Sequence, residues 1–262
     1  LEDTPERHQT RSKMYANVGY PQKPLPAQVK PSQKPGRIRI GYFSSDFKEH
    51  PVAYLIVKML EQHNHNQFEI FGYSLHGSQQ NEMRQRLTKP FDNFANVEDM
   101  SDKAIALQAR QDGIDIAVDL NGYTTHACTG IFAYRAAPIQ INYLGYPGTM
   151  GAEFIDYILA DPVLIPEDKR QHYSEQIIYL PNTYQPTDNT RAISDEVITR
   201  EDMGLPREGF VFCCFNNNYK ISPVEFDIWM RLLKNVEGSV LWLLKSNKWA
   251  GQNLKRQAEN RG

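Results

Sequence analysis

The sequence predicts an α/β fold in which parallel strands alternate with helices in a doubly wound sheet. Two observations support this fold class. From Arg37 onward, short apolar runs alternate with segments of helical spacing, and several of the apolar runs end in polar, glycine-containing turns. The chain has 262 residues, 40% of them hydrophobic. This is enough for one large domain and the beginning of a second.

Residues 1–36 differ in composition from the rest of the chain. They are polar and contain six prolines, which is typical of a linker that is mainly extended, with some helix near its start. At Arg37 the pattern changes to Arg-Ile-Arg-Ile-Gly-Tyr-Phe, which indicates a first strand. We therefore predict a Pro-rich linker over 1–36 and a domain over 37–198.

Within residues 37–198 the expected elements follow one another in α/β order. Apolar spacing predicts a helix over 52–62, and Ser101 and Gly113 mark the cap and the end of another over 101–112. The remaining apolar runs predict strands over 68–75, 115–120, 139–144, 157–160 and 176–180.

A second domain is predicted to begin at Thr199. Thr199 to Asp202 has the pattern of an N-cap with an acidic first turn, which Gly204 stops. A strand over 210–215, a helix over 224–236 and a strand over 239–244 would form one βαβ unit, and a further helix starts near 253. Two strands offer little core, so we expect 199–262 to be the truncated start of this domain.

Composition also bears on partners and location. The net charge of −2 argues against nucleic acid as the main partner. Three cysteines, two of them adjacent, are a poor disulfide framework and favour a reducing compartment. With no apolar run of membrane-spanning length and no signal peptide, we predict a cytoplasmic protein that contacts no membrane. His63 and His65 form an isolated pair, so we predict no metal site.

The segment around Lys220 has the strongest chemical pattern. Ser222, Pro223 and Glu225 fit the N-cap, N1 and N3 positions of a capping box, and Lys220 lies two residues ahead of them. A helix N-terminus after a parallel strand attracts anions, so Lys220 and the backbone N–H groups could hold a diphosphate. An ordinary strand-to-helix loop with a solvated lysine remains equally open on this pattern alone.

Three further segments follow predicted strands. His50 precedes Pro51 and is expected to cap the next helix, where it could orient an acceptor hydroxyl or transfer a proton. The segments over 121–126 and 144–151 contain residues that let backbone approach a ligand closely. The alternatives are a simple capping histidine and two tight turns.

Together these segments closely resemble the catalytic region of the O-GlcNAc transferases, glycosyltransferase family 41, which includes SPINDLY-like proteins. The resemblance runs in order from Arg37 to the C-terminus. It rests on Arg-Ile-Arg-Ile-Gly-Tyr-Phe-Ser-Ser-Asp-Phe with His50-Pro51, Asn121-Gly-Tyr-Thr, Leu144-Gly-Tyr-Pro-Gly-Thr, Tyr173-Ser-Glu175 and Phe215-Asn through Lys220.

The resemblance implies a GT-B-like fold, with one Rossmann-like domain plus the beginning of a second, UDP-binding one. It also implies inverting, metal-independent transfer of GlcNAc from UDP-GlcNAc to Ser or Thr of proteins, with no cofactor. Lys220 would bind the diphosphate, and His50 would lie beside the acceptor and the sugar. Asn217, which stands where the family usually has glutamine, would contact the donor, as would Gly145, Pro147 and Thr124.

The resemblance further implies a tetratricopeptide array upstream, which recruits protein acceptors. Two other functions stay open from the sequence. One is a related enzyme that transfers glucose from UDP-glucose to asparagine. The other is a protein-binding module that keeps the scaffold without chemistry. In either enzymatic case we expect the 262 residues alone to be inactive, because much of the UDP site would lie outside them.

Overall fold

Seven parallel strands form the main sheet of the larger of two structural units. The computed structural model describes residues 4–22, 25, 36–77 and 81–262. The rest of the predicted linker, residues 1–3, 23, 24 and 26–35, lies outside the described residues. The described chain divides into a unit over Thr4–Arg191 and a unit over Ala192–Gly262, close to the predicted boundary.

The elements of the larger unit alternate as the sequence predicts. Its strands are β1 (Ile38–Ser44), β2 (Phe68–Ser74), β3 (Asn93–Asn96), β4 (Ile116–Asp119), β5 (Ile139–Asn142), β6 (Tyr157–Ala160) and β7 (Gln176–Tyr179). Its helices are α1 (Pro5–Gly19), α2 (Pro51–Glu61), α3 (Glu82–Thr88), α4 (Asp102–Asp112) and α5 (Gly130–Ala133), with a 3₁₀ helix over Glu167–His172.

The strand order places a topological switch point between β1 and β4. The order is β3-β2-β1-β4-β5-β6-β7, and every neighbouring pair is parallel. The chain therefore builds outward from β1 to β3 and then resumes on the other side of β1. In open parallel sheets, ligands bind outside the carboxyl ends of the strands at such a point.

Both faces of the sheet are buried, as expected for a parallel sheet. On one face, Ile56 and Leu60 of α2 pack with Ile70 and Val118. On the other face, α4 and α5 cover a cluster that contains the stacked rings of Phe43 and Tyr73, whose centroids are 4.4 Å apart. Because this core is formed on both faces, the carboxyl edge of the strands is held on a rigid support.

The predicted helix boundaries are set by local capping. His50 caps α2 by accepting the N–H of Val52, and Pro51 opens the helix. Ser101 caps α4 by accepting the N–H of Ala104, and Gly113 ends that helix with a φ of 72°. These predictions are confirmed.

The first 36 residues contain more structure than a linker. Helix α1 occupies 15 residues and buries Ser12 and Ala16 against the larger unit. A Cβ on Gly151 would lie 2.4 Å from the backbone nitrogen of Lys13, so the helix contacts the loop between β5 and β6 directly. The helix expected near the start of this segment is therefore present over residues 5–19, and it is docked on the rest of the larger unit.

Four elements of the larger unit have no counterpart in the sequence prediction: α3, β3, α5 and the 3₁₀ helix over Glu167–His172. Helix α3 and strand β3 lie between β2 and α4. Strand β3 reads Asn-Phe-Ala-Asn at the edge of the sheet, where one side of the strand has no neighbour, so it lacks the apolar run of a central strand.

The smaller unit contains one βαβ arrangement and one further helix. Strands β8 (Val211–Cys214) and β9 (Val240–Leu243) are parallel and joined by a 3₁₀ turn over Asn218–Lys220 and α6 (Pro223–Asn235); α7 (Lys248–Glu259) follows. Thr199 and Asp202 exchange capping hydrogen bonds, but they close only a turn and no helix follows. No helix of the described chain combines the length and apolarity that crossing a bilayer requires.

Candidate functional site

Asn121 is the centre of a buried hydrogen-bond network at the switch point. Its side-chain oxygen accepts the N–H of Ser45 at 2.8 Å. Its amide nitrogen donates to Oδ2 of Asp46 at 2.9 Å and lies 2.8 Å from Oγ of Ser45. These contacts fix the segment after β1 against the segment after β4, so the two strand ends form one surface.

His50 lies beside this network. Its Nδ1 accepts the N–H of Val52 at 3.3 Å and is 3.6 Å from Oδ2 of Asp46. Because Nδ1 is the acceptor in the neutral ring, the proton is on Nε2. The side chain is 39% exposed, and Nε2 makes no hydrogen bond with the residues that the structure describes. His50 can therefore donate a hydrogen bond to a ligand from Nε2.

Thr124 joins the same network from the loop after β4. Its hydroxyl is 3.2 Å from the amide nitrogen of Asn121, and the residue is exposed. Asp46 and Asn121 are hydrogen-bonded to each other; His50 lies beside Asp46, and Thr124 contacts Asn121. The structure brings these two predicted site residues together at the carboxyl edge.

Gly145 follows β5 at the same edge. A Cβ on this residue would lie 2.1 Å from the carbonyl oxygen of Leu120, so the close approach of the two backbones requires glycine. Leu144 has a φ of 70°, which turns the chain sharply after the strand. Pro147, two residues after Gly145, is exposed, and its carbonyl oxygen accepts a hydrogen bond from the hydroxyl of Tyr173 at 3.2 Å.

Asp119, the last residue of β4, holds the backbone that follows this strand. Its Oδ1 accepts the backbone N–H groups of Asn121 and Gly122 at 2.9 and 3.1 Å. Burial raises the pKa of Asp119 to about 6, against the lowering effect of these two N–H groups. Its Oδ2 has no partner among the described residues, and neither has Oδ1 of Asn142, the residue paired with it in the sheet. The lack of a donor to Oδ2 adds to the cost of a negative charge on Asp119.

In the smaller unit, Lys220 ends the 3₁₀ turn that precedes α6. It is exposed, forms no ion pair with the described residues, and lies two residues before Ser222, the N-cap of α6. The predicted capping box is not formed: Ser222 makes no side-chain bond to the helix backbone, and its hydroxyl contacts the carboxylate of Glu225. The first N–H groups of α6 therefore remain available to an anion.

Asn217 opens the same 3₁₀ turn. Its carbonyl oxygen accepts the N–H of Lys220 at 2.9 Å, and its side chain is exposed. The next residue, Asn218, donates from its side chain to the carbonyl oxygen of Leu244 at 3.3 Å, which ties the turn to the end of β9. The turn therefore presents Asn217 and Lys220 beside the carboxyl ends of both strands.

Comparisons with known proteins match these segments as a set. The sequence profile of Glycosyl transferase family 41 matches residues 19–195 and 191–262. The chain belongs to glycosyltransferase family 41. SEC of Arabidopsis thaliana, named a probable UDP-N-acetylglucosamine–peptide N-acetylglucosaminyltransferase, is 41% identical over 214 residues, which cover 80% of the chain and 22% of SEC.

Other relatives point to the same family. The UDP-N-acetylglucosamine–peptide N-acetylglucosaminyltransferase of Caenorhabditis elegans is 26% identical, covering 86% of the chain and 29% of that protein. A mutant of the O-GlcNAc transferase of Thermobaculum terrenum has a TM-score of 0.85 at 28% identity, covering 99% of the chain and 49% of that structure. The GT-B-like fold class is confirmed. The chain spans about a fifth to a third of these curated relatives' length.

The family 41 resemblance named His50, Thr124 and Gly145 as site residues but left out the residues that connect them. Asp46 and Asn121 lie within the motifs that carry the resemblance, yet their short polar side chains are also typical of turns. The signal that could have found them is position, because each closely follows a strand of the switch point. Glu175, inside the Tyr-Ser-Glu motif, was also missed.

Across the ranges that the structure describes, no three His, Cys, Asp or Glu side chains converge as metal ligands do. The three cysteines, all within those ranges, are free thiols.

Proposed function

We propose that the protein transfers GlcNAc from UDP-GlcNAc to Ser or Thr side chains of acceptor proteins. The observation that carries this proposal is the position of Lys220. It is exposed, forms no ion pair with the described residues and lies two residues before the N-cap of α6, whose side chain does not bond to the helix backbone; the segment is matched by a family of nucleotide-sugar transferases. Such a junction is suited to bind the diphosphate of a UDP-sugar.

The reaction needs a stabilised leaving group. The acceptor hydroxyl oxygen forms a bond to C1 of GlcNAc, the bond from C1 to the β-phosphate oxygen breaks, and the hydroxyl proton leaves to solvent. UDP departs with the electron pair of that bond. Negative charge develops on the bridging oxygen, and Lys220 with the N–H groups of α6 would stabilise it most in the transition state. A single displacement of this kind inverts the configuration at C1.

His50 has the geometry of a hydrogen-bond donor. Because Nδ1 already accepts the N–H of Val52, Nε2 carries a proton and would orient a sugar or acceptor hydroxyl. Gly145 and Pro147 would offer backbone groups to the donor, and Thr124 its hydroxyl. Asn217 would contact the nucleotide beside Lys220. We propose that neither a metal nor a cofactor takes part, because the cation and the helix N-terminus supply the positive charge.

The biological setting follows from the same proposal. A net charge of −2 and the family membership favour a protein acceptor over nucleic acid or a membrane surface. Three free cysteines favour the reducing cytoplasm. We also propose that a tetratricopeptide array precedes this region in the full-length protein and recruits the acceptors.

The test is sugar transfer to peptides by the full-length protein and its Lys220→Ala variant. Loss of one preorganised cation should lower kcat by about a hundredfold or more. Lys255→Ala, an exposed lysine of the same unit, is the matched control and should retain activity. UDP-GlcNAc and UDP-glucose are compared on peptides that contain either Ser and Thr or Asn.

Two results would contradict the proposal. One is a folded Lys220→Ala protein within about threefold of wild type, which would remove Lys220 from the reaction. The other is transfer of glucose to Asn without transfer of GlcNAc to Ser or Thr, which would assign the alternative activity. Circular dichroism establishes that each variant is folded.

A further inference from the structure

Glu175 lies under the loop that carries Gly145 and Pro147. It directly precedes β7, is 5% exposed, and contacts this loop, residues 144–151, from inside. The hydroxyl of Thr149 donates to its Oε2 at 2.6 Å, and the backbone N–H of Met150 donates to its Oε1 at 2.6 Å. Both carboxylate oxygens are therefore occupied by the loop.

The Thr149 hydroxyl fixes the direction of this hydrogen bond. Its oxygen also accepts the N–H groups of Gly151 at 3.1 Å and Ser174 at 3.2 Å. With both lone pairs occupied, the only role left for the hydroxyl proton is donation to Glu175. Glu175 must then accept at both oxygens, and a glutamine in its place would offer only one acceptor.

The cost of burying this carboxylate indicates a specific role. Glu175 has no ion-pair partner among the described residues, and burial raises its pKa, while the hydrogen bonds from Thr149 and Met150 oppose the increase. A buried carboxylate without a cation is costly unless fixed donors replace its hydration. Here Thr149 and Met150 of the loop supply such donors.

Neighbouring contacts hold the rest of the loop. The hydroxyl of Tyr173 donates to the carbonyl oxygen of Pro147 at 3.2 Å, and the side-chain amide of Asn142 donates to the carbonyl oxygen of Tyr146 at 2.8 Å. The loop is thus fixed at Tyr146, Pro147, Thr149 and Met150.

We propose that Glu175 is a positioning residue that fixes the loop over 144–151 and, through it, the backbone of Gly145 and Pro147 for binding of the sugar donor. The positioning of the loop stands on the contacts alone, and the identity of the donor rests on the proposed function. Glu175 itself makes no contact with the donor in this proposal.

The experiment is backbone amide hydrogen exchange in the full-length protein. Glu175→Gln should speed exchange at Met150 and Gly151 by about tenfold or more, because one charge-assisted acceptor is lost. Exchange in β4 should stay unchanged. Thr149→Val should reproduce the effect, and Thr149→Ser, which keeps the hydroxyl, should resemble wild type. Glu153→Gln, an exposed glutamate after the same loop, is the matched control.

Enzyme kinetics give the second readout. Glu175→Gln should raise KM for UDP-GlcNAc about tenfold with a smaller change in kcat, because the ground-state donor site is loosened. Unchanged exchange at Met150 in Glu175→Gln overturns the positioning role whatever the kinetics show. If wild type transfers no sugar, the proposed function fails, while the exchange data still decide the role of Glu175.

Discussion

The Nδ1 atom of His50 lies 3.6 Å from Oδ2 of Asp46 while it accepts the backbone N–H of Val52. One nitrogen thus serves the helix cap and faces a carboxylate that is itself held by Asn121. The structural and the chemical roles of His50 are carried by different ring atoms, Nδ1 and Nε2, and substitution can separate them.

Replacing His50 by Asn should keep α2 stable and impair transfer. Asparagine is a good N-cap and can accept the Val52 N–H, whereas alanine cannot, so His50→Ala should cost about 1 kcal/mol of stability and His50→Asn much less. Both variants lack Nε2, so both should reduce transferase activity by about tenfold or more. Thermal unfolding and peptide glycosylation measure the two effects. Full activity in His50→Asn would limit His50 to capping.

Replacing Asp119 by Asn should remove a pH-dependent destabilisation of the larger unit. The folded-state pKa of about 6 exceeds the usual aspartate value, so the folded protein binds the proton more tightly and loses stability as pH rises from about 4 to 6. Above that range the buried charge costs about 3 kcal/mol. Asparagine keeps one acceptor oxygen for the N–H groups of Asn121 and Gly122 and carries no charge.

The measurement is denaturant unfolding of wild type and Asp119→Asn between pH 4 and 7. The variant should be more stable at pH 7, and the difference should vanish near pH 4. Asp119→Ala is the control: it loses the acceptor for both N–H groups and should be destabilised even at pH 4. Parallel stability curves for wild type and Asp119→Asn would show that Asp119 does not titrate in this range.

Replacing Gly151 by Ala should displace helix α1. Gly151 has a φ of 62°, and its new Cβ would lie 2.4 Å from the backbone nitrogen of Lys13. Both the left-handed backbone and the clash disfavour alanine, at about 1–3 kcal/mol for the backbone alone. Tryptic cleavage within α1 should accelerate. Gly19→Ala, where nothing lies within 4 Å of the new Cβ, should cleave like wild type, and equal cleavage of all three proteins would contradict the docking.

The sequence predicted the elements whose signals are local. Pro51 and His50 mark the start of α2, Gly113 marks the end of α4, and the central strands β1, β4 and β5 are rich in apolar residues. Strand β3 was not predicted, because an edge strand can form without a run of apolar residues. The docking of helix α1 was not predicted, because its buried positions, Ser12 and Ala16, are small and its other residues are largely polar.

The site residues also divide into those with a local sequence signal and those without one. His50, Thr124 and Gly145 could be named from motifs, because each follows a strand. The Asn121 network depends on which strands become neighbours in the sheet. The hydrogen bonds from the loop to Glu175 join residues far apart in the chain, such as Thr149 and Glu175. Pairing of this kind is a property of the folded sheet and has no local pattern.

Helix α1 can occupy only one rotational setting on the loop. The part of α1 that is buried is a narrow face of small residues, Ser12 and Ala16. Gly148 and Gly151 of the loop lie so close to α1 that a larger side chain would not fit between them. A rotation by one residue, about 100°, would turn Lys13 inward against the loop. These contacts therefore fix which face of α1 meets the loop that carries Gly145 and Pro147.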